Sequence, residues 1–331
     1  MPTLIVNPLK RTLAHYEKEL MEILVECGSE TVGYVDCVPG DGVAGPADRM
    51  SIALRTVTER IKLSHNVSEQ TIIVIWPLFG YLEPLTLLGL ARRNEVFIVV
   101  HDPLPLRRSY GQSRFARELF KLALHHPRLH VLYHTTLAQQ VGVRVNGVAG
   151  AVVPHPIRLR QTAAGRPVRT RAARPVVRVL GQYKETRSMT ALAGLGAHAS
   201  TFCDLEIHGM GWPGVPGWTV SDRFVPEHDF ARLVEKSDCI VIPYDSFYQS
   251  GVAVRCLESG VPLIAPRHEH IEQLYGVDWA GIVEDASDWH DALTRALAVD
   301  QVTLQRRYSS VAGRTVRAWE ALLLGFSGVD H

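Results

Sequence analysis

The chain has 331 residues, enough for about two domains at ~150 residues each. Its 35 Lys and Arg balance 34 Asp and Glu to a formal charge of +1, which excludes a polyelectrolyte that grips nucleic acid. With 46% apolar and 21% charged residues, extended disorder is excluded as well.

Five cysteines (Cys27, Cys37, Cys203, Cys239, Cys256) form no C-x-x-C pair, so neither a zinc knuckle nor a disulfide-stapled fold is expected. A reducing, cytoplasmic setting follows. The opening Met-Pro-Thr-Leu-Ile-Val lacks the pattern of a signal peptide. Thr71 to Leu90 is the most apolar stretch, but Pro77, Gly80, Glu83 and Pro84 make it strand, turn and helix and not a membrane span.

In chain order, short β-rich runs are expected at Leu4–Val6, Val32–Val35, Ile72–Trp76, Val96–Val100, His130–Tyr133 and Ala151–Val153, with helical patterns between them. The first helix puts Leu13, Tyr16, Leu20, Ile23 or Leu24, and Cys27 on one face and stops at Gly28. From Arg158 to Arg174 six arginines and almost no large apolar side chain suggest a linker. Alternation resumes with strands near Val176–Leu180, Leu205–Ile207, Cys239–Pro243, Pro262–Ala265 and Gly281–Val283. A terminal helix, Val302–Leu324, follows. The expectation is α/β: two Rossmann-like domains, 1–157 and 175–331, joined by a linker over 158–174, with the terminal helix able to cross back to the first.

Open parallel sheets bind ligands outside the carboxyl ends of their strands, so the site is expected in a cleft between the domains. The strand ends to inspect are Asn7, Trp76-Pro77, His101-Asp102, His134-Thr135, Gly181, Gly209, Tyr244 to Gly251, and Pro266. Gly40-Asp41-Gly42-Val43-Ala44-Gly45 matches the dinucleotide fingerprint literally. Its flanking Pro39 and Pro46, and its position after a second strand, make it a surface loop.

The richest block runs from Val241 to Pro266 as strand, loop, short helix, strand. Ser250-Gly251 lies where the loop enters the helix, so free amides and the positive helix end suit a diphosphate. Glu258, seven residues on, returns to the same helix face, where a carboxylate can accept bonds from a ribose diol; capping of a packing helix is the structural alternative. Val179-Leu180-Gly181-Gln182-Tyr183-Lys184-Glu185-Thr186-Arg187 ends the second domain's first strand with a glycine and two cations, which would neutralise a leaving nucleoside diphosphate or else be solvated helix-start residues.

These two blocks resemble the donor-binding segments of GT-B glycosyltransferases, in particular the retaining family 4 that uses nucleotide-diphosphate sugars. The resemblance implies donor contacts from Gly181, Tyr244, Ser250, Gly251, Val252 and Glu258, and catalytic roles for His101, Asp102, Lys184 and Arg187. The family's first glutamate of the helix segment is replaced by Ser250. Its arginine after the strand-end glycine is replaced by Gln182, and its lysine by Ser188, leaving Lys184 and Arg187 to serve instead. His101 ends a buried strand, as a histidine often does beside the donor sugar in these enzymes, and Asp102 is set to orient it or to bind acceptor hydroxyls.

The resemblance implies transfer of a sugar from a UDP- or GDP-sugar to a hydroxyl acceptor, a glycan, a lipid-linked sugar or a small metabolite, with no further cofactor. No D-x-D occurs, so metal independence is expected, and H-E-x-x-H, G-x-S-x-G and the P-loop motif are missing too. Arg107-Arg108 and the arginine-rich linker are surface charge that can also attract an anionic inner membrane face. Trp212 to Trp218 is a packed turn or a stacking platform. Alternatives are a catalytically silent nucleotide-sugar-binding protein, a GT-B epimerase or hydrolase, and an NAD-dependent oxidoreductase.

Overall fold

A computed structural model describes residues 2–8, 13–34, 46–104, 111–159 and 174–327. The fingerprint at Gly40–Gly45, the Arg107-Arg108 pair and most of the expected linker lie outside these residues. The chain divides into two units, Met1–Leu159 with Arg314–His331, and Arg160–Gly313.

The first unit is a six-stranded sheet in the order β2-β1-β3-β4-β5-β6, every pair parallel. Its strands are β1 (Thr3–Val6), β2 (Thr31–Tyr34), β3 (Thr71–Val74), β4 (Glu95–Val99), β5 (Leu129–Tyr133) and β6 (Ala151–Val152). Between them run α1 (Ala14–Glu26), α2 (Pro46–Asn66), α3 (Glu83–Ala91), α4 (Arg114–Ala123) and α5 (Thr136–Asn146). In α1 the apolar spacing buries Tyr16, Leu20, Ile23 and Leu24 against the sheet. Each such aliphatic side chain contributes about 1.5–3 kcal/mol. The helix stops where expected: Gly28 takes φ +78°, its amide bonds Val25 O, and Ser29 N bonds Leu24 O, the paired closure that needs a left-handed residue.

The second unit is also a parallel six-stranded sheet, in the order β12-β11-β10-β7-β8-β9. Its elements are β7 (Val176–Leu180), α6 (Met189–Ala199), β8 (Asp204–His208), β9 (Thr219–Ser221), α7 (Glu227–Glu235), β10 (Cys239–Val241), α8 (Gly251–Glu258), β11 (Leu263–Pro266), α9 (Glu269–Tyr275), β12 (Ile282–Val283) and α10 (Trp289–Leu297). Strand β9 is an addition to the sequence reading. It is three residues long with no buried residue, so no apolar run announces it. The order reverses between β7 and β10, which makes their carboxyl ends the switch point where such sheets open a crevice.

Helix α11 (Gln301–Ser327) passes through both units. The sequence reading counts it with the second domain and lets it cross back to the first; from Arg314 onward it belongs to the first unit. There Trp319 is fully buried among Ile5, Leu24 and Val153 and donates Nε1–H to Pro154 O at 3.1 Å. Arg174, the last expected linker residue, is tied to the second unit through Asp204 and the Cys203 carbonyl. No helix among the described residues is long and apolar enough to cross a membrane.

Candidate functional site

At the switch point of the second sheet, β7 ends in Gly181, whose φ of +97° suits only glycine without strain. The two loops leaving β7 and β10 are laced together. Ser188 N bonds Pro243 O at 2.6 Å, Asp245 N bonds Thr186 O at 2.8 Å, and Arg187 forms an antiparallel bridge with Tyr244. The backbone thus fixes Arg187 at the crevice. Its side chain is only 4% exposed and lies over two aromatic faces, 4.9 Å from the Trp212 ring centre and 4.8 Å from that of Tyr244. One nitrogen, Nη2, donates to Leu180 O at 3.0 Å, and a methyl added at Gly181 would sit 3.0 Å from it. Trp212 is held in turn by donating Nε1–H to Gly181 O at 2.8 Å.

Cation–π contact offsets part of the desolvation of a buried guanidinium, but the charge is normally balanced by a carboxylate. Among the described residues Arg187 makes no ion pair, and its Nε is buried without a hydrogen-bond partner. Burial pulls its pKa below the ordinary arginine value, with Tyr244 opposing. Lys184, three residues earlier, is exposed, and its carbonyl accepts from Arg187 N.

Past β10, Ser250 is the N-cap of α8. It is extended at φ −140°, and its Oγ accepts from Ala253 N at 3.3 Å. The first backbone bond of the helix runs from Val254 N to Ser250 O, so the amides of Gly251 and Val252 precede the ladder and stay available at its positive end. Gly251 is exposed, and a methyl added there would meet nothing within 4 Å. Glu258 closes the same helix, buried. Its charge helps raise the Tyr275 hydroxyl well above the ordinary tyrosine value, after burial and the Cys256 and Cys239 thiols.

In the first unit His101 follows β4, is buried, and donates Nε2–H to Ile75 O at 2.8 Å while stacking on Trp76. Asp102 beside it is exposed. His101 belongs to a cluster that the sequence reading did not assemble. His134 follows β5 and His155 follows β6, and both pack on Tyr16 of α1 with ring centres 5.6 and 5.0 Å away. His134 Nδ1 donates to Val153 O at 2.9 Å, which leaves its Nε2 to accept the Tyr16 hydroxyl at 2.8 Å. Burial holds the Tyr16 pKa well above its ordinary value, so the hydroxyl remains a donor. The available signal was a histidine just after the apolar run of three successive strands.

No protein-family model matches the chain, and no curated protein matches it. Solved structures do. The UDP-forming α,α-trehalose-phosphate synthase of Burkholderia xenovorans in complex with glucose-6-phosphate matches with a TM-score of 0.66 at 13% identity, over 98% of this chain and 99% of that one. A trehalose-6-phosphate protein from E. coli bound with UDP-2-fluoro glucose matches with 0.65 at 9% identity, over 99% of both. Sucrose-phosphate synthase of Thermosynechococcus elongatus gives 0.64 at 15% identity, over 99% of this chain and 98% of that one. The chain therefore has the fold of the trehalose-phosphate and sucrose-phosphate synthases, the two-unit α/β GT-B architecture expected from its sequence.

Proposed function

We propose that the chain is a glycosyltransferase that moves a hexose from a UDP- or GDP-sugar to a hydroxyl acceptor, with retention at the anomeric carbon and without a metal ion. One observation carries the reading: among the described residues Arg187 is a buried cation with no carboxylate partner at the end of β7, and α8 of the same sheet begins with two amides that precede its hydrogen-bond ladder. A diphosphate is the group that satisfies both, since each buried donor left without a partner is costly.

In the reaction the bond between the anomeric carbon and the β-phosphate oxygen breaks, and an acceptor oxygen bonds to that carbon on the same face. The acceptor proton passes to an oxygen of the departing diphosphate. Arg187, Lys184 and the amides of Gly251 and Val252 stabilise the charge that develops there, which is the electrostatic task a metal performs elsewhere. Gly181 leaves room for the phosphates, Tyr244 and Ser250 hold the loop, and Glu258 binds the ribose. The fold relatives support a UDP-sugar as the first donor to try and a sugar phosphate as the first acceptor, because two of those structures contain UDP-2-fluoro glucose and glucose-6-phosphate.

A thermal-shift screen with UDP, GDP, ADP, their glucose conjugates and NAD tests the donor class. Selective stabilisation by one nucleoside diphosphate and its sugar is expected, since ligand binding raises apparent stability by mass action. Incubation with the selected donor and sugar-phosphate acceptors, in the presence of a chelator, should then yield a product of retained configuration by NMR. Stabilisation by NAD alone would point to the oxidoreductase reading. Binding without turnover over a broad acceptor panel would point to a silent binding protein.

A further inference from the structure

Three carbonyls of the segment leading into and starting α8 are gripped from α9 and its cap. His268 Nε2 lies 2.8 Å from Phe247 O, His270 Nε2 3.4 Å from Ser250 O, and the Tyr275 hydroxyl donates to Ala253 O at 3.1 Å. Phe247, Ser250 and Ala253 fall three residues apart, so the two amides of the candidate diphosphate site lie between the second and third anchor. His268 is the first and the most specified. It is the N-cap of α9, and its Nδ1 accepts from His270 N at 3.1 Å. That nitrogen is therefore bare, the ring proton sits on Nε2, and Nε2 is the donor to Phe247 O. The ring also lies flat on Phe247, with centroids 3.9 Å apart and planes inclined by 22°. Phe247 packs on Tyr244, and Tyr244 on Arg187.

We propose that His268, in its neutral Nε2–H form, is a positioning residue that latches the Tyr244–Ser250 loop and so sets the amides of Gly251 and Val252 for the donor diphosphate. This rests on the donor reading above. Protonation would put a hydrogen on Nδ1, facing the His270 N–H it now accepts, and the cap bond would be lost. The charged groups that face His268 are Glu269 and Glu272; both favour its protonation, as does the Phe247 carbonyl, but burial is the larger influence and holds its pKa below the ordinary histidine value. The unfolded chain takes up this proton near pH 6.5 and the folded chain only at lower pH. The latch is therefore fully present above about pH 6.5 and is lost as the pH falls through the folded value.

The test compares wild type with His268→Asn, which keeps an acceptor for the cap but does not titrate, and with His268→Ala. UDP and GDP affinity is measured by calorimetry from pH 5 to 8, with amide hydrogen exchange over residues 244–253 on the same samples. Wild-type affinity is expected to fall more steeply toward acid pH than that of His268→Asn, with loss of exchange protection in that segment after correction for intrinsic rates. His268→Asn should stay within about threefold of wild type at pH 7.5 and show a flatter profile, whereas His268→Ala should lose about tenfold at every pH. Equal exchange protection in wild type and His268→Ala overturns the latch whatever the nucleotide does, as does an acid step as large in His268→Asn as in wild type, since the nucleotide's own phosphate titrates at about pH 6 and weakens binding equally in both. Nucleotide binding that ignores both variants overturns the positioning role while the donor reading stands. A wild type that binds no nucleoside diphosphate overturns the donor reading, while exchange still decides the latch.

Discussion

At the ends of β4, β5 and β6, buried histidines and Tyr16 bond to one another and to carbonyls of the chain, whereas at the end of β7 a buried guanidinium meets, among the described residues, two aromatic faces, one carbonyl and no carboxylate. Both places are strand ends in parallel sheets, and both hold polar side chains away from water. They differ in whether the protein completes its own bonding. The Tyr16–His134–Val153 chain of bonds is closed and specifies local packing. Arg187 is open, and a charge kept buried without a counterion is what a folded chain tolerates where a ligand supplies the missing half.

The sharpest way to break this comparison is Arg187→Met, which keeps the stem between Trp212 and Tyr244 and removes the charge. Affinity for the nucleoside diphosphate, measured by calorimetry, should fall at least a hundredfold. Stability in urea should change by less than about 1 kcal/mol or increase, because the substitution removes a cost of burial. Tyr16→Phe is the opposite case. Losing the hydroxyl leaves His134 Nε2 without that donor and should cost about 1–3 kcal/mol of stability in the same titration, with nucleotide affinity unchanged. Ser250→Ala is the mildest: losing the cap to Ala253 N should cost about 1 kcal/mol while affinity shifts less than about threefold, since Gly251 and Val252 carry the proposed phosphate contacts.

Alternation of apolar runs with helical faces made both sheets legible, and Gly28 made the end of α1 legible, because these signals are local. Ser250 as a cap and Gly251 as the opening of α8 could be read for the same reason. What could not be read was convergence. Trp212 stands in the sequence as part of a turn, 25 residues beyond Arg187, and only the parallel pairing of β7 with β8 brings its ring over the guanidinium. Tyr16 comes from a helix far from the histidines it joins. His268 gave no signal at all, since its importance lies in a carbonyl 21 residues upstream. Strand β9 was hidden by its exposure, whereas the return of α11 to the first unit was expected as a crossing but without the residue, Arg314, at which it begins.

Solving the crystal structure of the protein with UDP or GDP at saturating concentration is the most direct check on the open cation. The account predicts β-phosphate oxygens within about 3.2 Å of Gly251 N and Val252 N, with the Arg187 guanidinium bonded to the same diphosphate. A nucleotide seated elsewhere, or those two amides found bonded to the chain itself with Arg187 paired to a carboxylate, would contradict it.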